Sequence, residues 1–153
     1  MQLKDRVAIV TGAGQGIGAC VAAAYAREGA RVAVVDMNGE AAEKVAAEIV
    51  GAGGTAIGVA CDVSNREQVE AMAAKVNAAW GRIDILVNNA GIIRREDAIK
   101  FSEKDWDDVI DLNLKTVFFF SQAVARQFIA QGSGGKIVHV ASMLPYQGGI
   151  RVP

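Results

Sequence analysis

Short apolar runs rich in β-branched residues alternate along the chain with longer segments in which apolar positions recur at helical spacing. The runs fall at residues 7–10, 31–36, 55–60, 83–87 and 136–141, and most lack strict alternation, which predicts strands covered on both faces. Between them lie three helical stripes, each predicted to face a sheet: Ile17, Val21, Ala24 and Tyr25; Ala42, Val45, Ala46 and Ile49; then Val69, Met72, Ala73, Val76 and Trp80. Ser64-x-x-Glu67 and Ser102-x-x-Asp105 read as helix starts, and Gly29, Gly51 and Gly81 stand where helices stop. Strands alternating with helices, with no linker, repeat or low-complexity segment, predict one α/β domain over residues 1–153. Its five strands form a right-handed, doubly wound parallel sheet with the first strand near the middle.

The first strand runs straight into Thr11-Gly12-Ala13-Gly14-Gln15-Gly16-Ile17-Gly18, which opens the first helix. A strand-to-helix turn without side chains lets backbone N–H groups approach a pyrophosphate, and the helix start adds roughly half a positive charge. A glycine-rich run alone is more often a flexible loop. The strand before it and the helix after it make this one a dinucleotide site of Rossmann-like type. Asp36 closes the second strand about 20 residues on, where a carboxylate accepts the hydroxyls of the adenosine ribose. Its charge repels the extra phosphate of NADP, and Gln15, Met37 and Asn38 supply no cation to offset that, so NAD is the expected cofactor. The bland alternative for Asp36 is a cap on the following helix.

Composition narrows the classes further. Hydrophobic residues make up 52% and charged residues 22%, enough for a sizeable core, and 16 Lys plus Arg against 17 Asp plus Glu leave a net charge of −1. No basic field attracts nucleic acid or an anionic membrane. The charged N-terminus and the short, glycine-interrupted apolar run behind it predict neither signal peptide nor membrane span, so a cytoplasmic location is expected. Cys20 and Cys61 are far apart and form no Cys/His cluster, so they are read as packing residues, with no disulfide and no metal. His139, the single histidine, sits among Ile137, Val138 and Val140 and is too isolated for a Ser/His/Asp hydrolase.

Thr11-Gly-x-x-x-Gly16-Ile17-Gly18, Asp62-Val63, Asn88-Asn89-Ala90-Gly91, Asn113 and Ser142, in this order, resemble the short-chain dehydrogenase/reductase family along the whole chain. The resemblance implies a pyrophosphate turn of Gly12, Gly16 and Gly18 with Ile17 and Gln15 beside it, Asp36 on the ribose, and Asp62 with Val63 at the adenine. Asn88, Asn89, Ala90 and Gly91 would follow the fourth strand, stabilising the sheet and lining the floor near the cofactor, where a plain turn is the alternative. Asn113 falls on a stripe predicted to be buried, of Trp106, Val109, Ile110, Leu114, Val117 and Phe118, so its amide needs polar partners. A main-chain bracket satisfies that need, and the family adds a water-mediated proton relay. Ser142, after the fifth strand, would hydrogen-bond the substrate carbonyl or alcohol, a turn serine being the alternative.

The family transfers its proton through a Tyr-x-x-x-Lys pair about a dozen residues after that serine. Tyr146 is too early and has Ile150 four residues on. The expectation is an incomplete domain, inactive by itself, whose fifth strand keeps an apolar edge that recruits other chains. A second stripe on the long helix, Leu112, Thr116, Phe119 and Ala123, faces away from the first and suggests subunit packing, as in the family's dimers and tetramers. From Ile92 onward the chain resembles the gluconate-type group of 2-deoxy-D-gluconate 3-dehydrogenase and 2-dehydro-3-deoxy-D-gluconate 5-dehydrogenase, although Pro145 and Tyr146 depart from its usual Ser-Phe. Arg94, Arg95 or Arg151 could pair with a sugar carboxylate, exposed salt-bridging being the commoner role. Hydride transfer between NAD and a secondary alcohol or ketone of a deoxy sugar acid is the expected activity. A 3-oxoacyl-carrier-protein reductase and a non-catalytic NAD-binding half-domain are the rival readings.

Overall fold

A computed structural model describes residues 1–143. Five strands form one parallel sheet in the order β3-β2-β1-β4-β5: β1 (Val7–Thr11), β2 (Arg31–Asp36), β3 (Thr55–Ala60), β4 (Ile85–Asn88) and β5 (Lys136–His139). The first strand is central, as the alternation of elements predicts. The fourth strand starts two residues later than the apolar run, because Ile83 is bracketed by the Gln131 side chain and Asp84 serves as an anchor. The fifth stops at His139 instead of residue 141, where β4 also ends.

Successive strand residues point to opposite faces, and both faces are filled. Val7, Ile9, Val35 and Leu86 pack on one side against Val69, Met72 and Val76 of α3 (Arg66–Trp80) and Phe120, Val124 and Phe128 of α5 (Val117–Ala130). Ala8, Val10, Val34 and Val87 pack on the other against Ala22 and Ala26 of α1 (Gly16–Arg27) and Ala42, Ala46 and Ile49 of α2 (Gly39–Gly51). The stripes expected on α2 and α3 are the buried ones. On α1 the buried line is Gly18, Ala22 and Ala26, while Ile17 is 67% exposed. Small residues let that helix lie close to the sheet, so size, not hydropathy, sets its inner face.

The helix starts divide. Ser102 caps α4 (Glu103–Ile110) as its motif predicts, accepting from the Asp105 N–H at 3.0 Å. For α3 the cap is Asn65, which accepts from the Gln68 N–H, while Ser64 bonds to Asp62. At the far end of α2, Gly51 is still helical, and Gly53 adopts the left-handed turn beyond it. A π-helical segment, Asp111–Thr116, interrupts the long helix between α4 and α5. One extra residue in a turn rotates the following face by about 100°. Thr116, Phe120, Val124 and Phe128 therefore face the sheet, whereas Trp106, Ile110, Leu114 and Phe118 are exposed, which reverses the expected stripe. Of the second stripe, Thr116 is buried, Leu112 and Ala123 are half-buried and Phe119 is exposed. Among the described residues no helix is long and apolar enough to cross a membrane.

Asp84, 4% exposed, ties the amino ends of β1 and β4 together. Its carboxylate accepts from the Val7 N–H at 3.0 Å, from Arg6 at 3.2 Å and from Arg82 Nε at 2.8 Å. Burial pushes its pKa up, but the bonds from Arg82, Val7 and Arg6 together outweigh burial and hold the carboxyl below its ordinary value. A depressed folded-state pKa stabilises the fold above the unfolded carboxylate value, and that contribution disappears as the pH falls through the folded one. Asp84→Asn is expected to cost about 2 kcal/mol at neutral pH. The difference from wild type should vanish in acid, as chemical denaturation across pH will show.

At the β5 edge, Val138 and Val140 are 42% and 43% exposed. Unpaired strand edges with apolar side chains recruit other strands. The chain as given is expected to associate as its concentration rises, with light scattering as the measurement; a clean monomer at high concentration would count against this.

Candidate nucleotide and substrate site

Every strand delivers its following loop to the same edge of the sheet, so the candidate residues converge without being near in sequence. The glycine turn follows β1, Asp36 ends β2, Asp62 and Val63 follow β3, Asn89 to Gly91 follow β4, and Ser142 lies beyond β5. A cavity of about 1090 Å³ opens along this edge, and its walls include Gly12, Gln15, Ile17, Asp36, Asp62, Val63, Asn89, Ala90 and Gly91.

The turn is held by two side chains. Thr11 Oγ1 accepts from the N–H groups of Asn89 and Ala90, each at 3.0 Å, and donates to the Val87 carbonyl. Asn89 Nδ2 donates to the carbonyls of Thr11 at 2.8 Å and Gly12 at 3.1 Å. Gly18 is forced by this packing, since a Cβ there would stand 2.4 Å from the Gly12 oxygen and 2.6 Å from Asn89 Nδ2. Gly16 is the opposite case: its φ is +57°, and a Cβ there would meet nothing within 4 Å. One glycine lets protein pack against protein, and the other leaves open space at the mouth of the helix.

That helix mouth differs from its neighbours. Asn38, Asn65 and Ser102 cap α2, α3 and α4 through their side chains, and each of those helices has an acidic residue in its first turn. Helix α1 begins after Gln15 with no side-chain cap and no acidic residue in the first turn. Its first N–H groups and the positive end of its dipole thus keep their capacity for an anion. Asp36 is not the cap of α2, a role that Asn38 fills by accepting from the Ala41 N–H. The Asp36 carboxylate instead accepts from the N–H groups of Gly14 at 2.9 Å and Asn38 at 3.0 Å, while also lining the cavity.

Asp62 is fixed in a turn: its Oδ1 takes both the N–H and the hydroxyl of Ser64, and its own N–H donates to Gln68. Cys61, beside it, also lines the cavity; burial, and then the Asp62 charge, push its thiol up to about 11. It stays a neutral thiol near pH 7. Asn113 lies in the π-helical segment and is exposed, so it is not the buried amide the stripe suggests. Its bracket is nevertheless present, for Nδ2 donates to the Ile92 carbonyl at 2.8 Å and Oδ1 accepts from the Ile92 N–H at 3.0 Å. Ser142 is exposed beyond the end of β5. Arg94 is engaged with Asp105 at 3.3 Å and Asp108 at 3.8 Å on α4. Tyr146, Ile150 and Arg151 lie outside the described residues.

Thr11 was not singled out as a site residue by the sequence, although it opens the motif; its hydroxyl acts through tertiary contacts that spacing does not reveal. Of the two cysteines read as packing residues, Cys61 is buried and also borders the cavity, whereas Cys20 is exposed on α1.

The family model for short chain dehydrogenases matches residues 6–153. The chain belongs to that family. It is 51% identical over 153 residues to a 2-dehydro-3-deoxy-D-gluconate 5-dehydrogenase of Dickeya dadantii, covering 99% of this chain and 59% of the relative. A D-threitol dehydrogenase of Mycolicibacterium smegmatis is 48% identical over 141 residues, covering 92% of this chain and 54% of that one. A short-chain type dehydrogenase/reductase from Mycobacterium marinum superposes with a TM-score of 0.91 at 40% identity, covering 95% of this chain and 57% of the other. The chain therefore spans under two thirds of the length of these relatives.

The two cysteines are expected to react differently. Cys20 is exposed and Cys61 buried, so one equivalent of a thiol reagent should react quickly with the folded chain and the second only on unfolding. Two fast equivalents would contradict the packing at Cys61.

Proposed function

We propose that this chain is the dinucleotide-binding part of an oxidoreductase that uses NAD to transfer hydride to or from a secondary alcohol or ketone of a sugar acid. The observation that supports it best is the uncapped start of α1, with open space at Gly16 and with Gln15 and Ile17 lining one cavity with Asp36. Uncapped amides suit the pyrophosphate, and a carboxylate anchored by two backbone donors suits the ribose diol. Asp62 and Val63 would meet the adenine, with Gln15 and Ile17 flanking the phosphates. Ala90 and Gly91 would form the floor beneath the nicotinamide, which when bound supplies the hydride chemistry.

On the substrate side, Ser142 would hydrogen-bond the reacting oxygen. Asn113, whose amide fixes the Ile92 backbone, would also hold a water for proton relay. The Tyr-x-x-x-Lys spacing does not occur in residues 1–153, so full turnover is assigned to a chain of the relatives' length, working in the cytoplasm as a homo-oligomer. The sugar-acid class follows from the likeness to the gluconate dehydrogenase, and the threitol enzyme at nearly equal identity keeps the wider polyol class as the next substrate set.

NADH fluorescence should rise on titration with the 153-residue chain. Gly16→Ala, whose methyl would enter the open space, should weaken binding at least about tenfold while costing only about 1 kcal/mol of stability for its left-handed backbone. A flat titration with the folded wild type sinks the nucleotide assignment. For a chain extended to the relatives' length, NAD-linked oxidation of 2-deoxy-D-gluconate is expected, and turnover of unrelated alcohols alone would reject the sugar-acid class.

A further inference from the structure

We propose that Gly14 is a specificity-determining residue that acts through Asp36: its lack of a side chain seats the carboxylate that selects NAD over NADP. The inference rests on the nucleotide reading above and goes beyond it in assigning the selection to a position outside the cavity wall. Gly14 is not among the glycines with positive φ, so its backbone does not require glycine. What requires it is space. A Cβ at position 14 would stand 2.9 Å from Asp36 Oδ2, 3.0 Å from Asp36 Cγ and 2.9 Å from Ala41 Cβ.

The same residue supplies a bond as well as room. The Gly14 N–H donates to Asp36 Oδ2 at 2.9 Å, and the Asn38 N–H donates to Oδ1 at 3.0 Å. The carboxylate is thus pinned between the glycine turn and the link from β2 to α2. Each oxygen retains a further lone pair, so each can accept one hydroxyl of a ribose diol. A methyl group at position 14 cannot shift towards α2, because Ala41 belongs to a first turn that Asn38 caps. The carboxylate is the end of a side chain with two rotatable bonds, so it is the part that yields. Once displaced, it loses the Gly14 bond and its approach to the diol, and its charge no longer stands where a 2′-phosphate would sit.

Calorimetric titration of the 153-residue chain with NADH and NADPH tests this on wild type, Gly14→Ala, Asp36→Ala and the double variant. Gly14→Ala is expected to lower NADH affinity about tenfold, the scale of a lost hydrogen bond to a charged group, with NADPH affinity unchanged or higher. The double variant should match Asp36→Ala, because the effect of position 14 passes through the carboxylate. Equal losses of NADH and NADPH in Gly14→Ala, or losses that add in the double variant, would overturn the role of Gly14 and leave the nucleotide site standing. If Gly14→Ala fails to fold, Gly14→Ala combined with Ala41→Gly removes the contact with α2, keeps that with Asp36, and carries the same expectation. A wild type that binds neither nucleotide overturns the nucleotide reading and this proposal together, and an NADH-to-NADPH ratio indifferent to Asp36→Ala overturns the selection by Asp36 and with it this proposal.

Discussion

The clamp between the β1 turn and the β4 turn is the contact on which the site depends. Two side chains, Thr11 and Asn89, account for five bonds across it, and all five run to or from main-chain atoms. Side chains that bond backbone fix the path of a turn without filling the space in front of it. The glycine turn is thereby rigid from behind and bare in front. A turn of this composition left to itself would sample many conformations, and ordering it on binding would cost affinity.

The sheet supplies the other half of that rigidity. Strand β1 is paired on both sides and buried on both faces, so its end is among the least mobile points of the fold. Its neighbours carry Asp36 and Asn89 at the same edge. The candidate site residues are therefore placed relative to one another by strand register, in which Val10 lies opposite Val34 and Val87, rather than by loop packing. Asp84 performs the matching task at the amino edge of β1 and β4, holding their start as Thr11 and Asn89 hold their end.

Strands buried on both faces are legible in sequence because both pleat directions demand apolar residues; three runs match to within a residue, and the departures at residues 83–84 and 140–141 come from side-chain anchors and from where the partner strand stops. The inner face of α1 was not legible from hydropathy. Gly18, Ala22 and Ala26 carry little apolar weight, yet closeness to the sheet selects them over Ile17. Helical phase fails more completely at Asn113. A uniform 3.6 period puts Trp106, Ile110 and Phe120 on one side, and the π-helical turn between them moves Phe120 alone to the sheet. No local rule announces such a turn. The site residues named by motif do converge on one edge, while the bonds that make them a site, from Thr11 and Gly14, pass between elements far apart in the chain.

The candidate site residues are fixed to different degrees within residues 1–143. Around the glycine turn, Ala13 is fully buried, Asp36 and Asp62 have their backbone donors, and the turn itself is clamped. Further along the chain, Leu114, Phe118 and Met143 are each more than three-fifths exposed, and Ser142 is exposed beyond the end of β5. Order therefore separates along the chain: the turns after the first four strands are fixed by hydrogen bonds between elements, whereas α4 and β5 carry no buried residue.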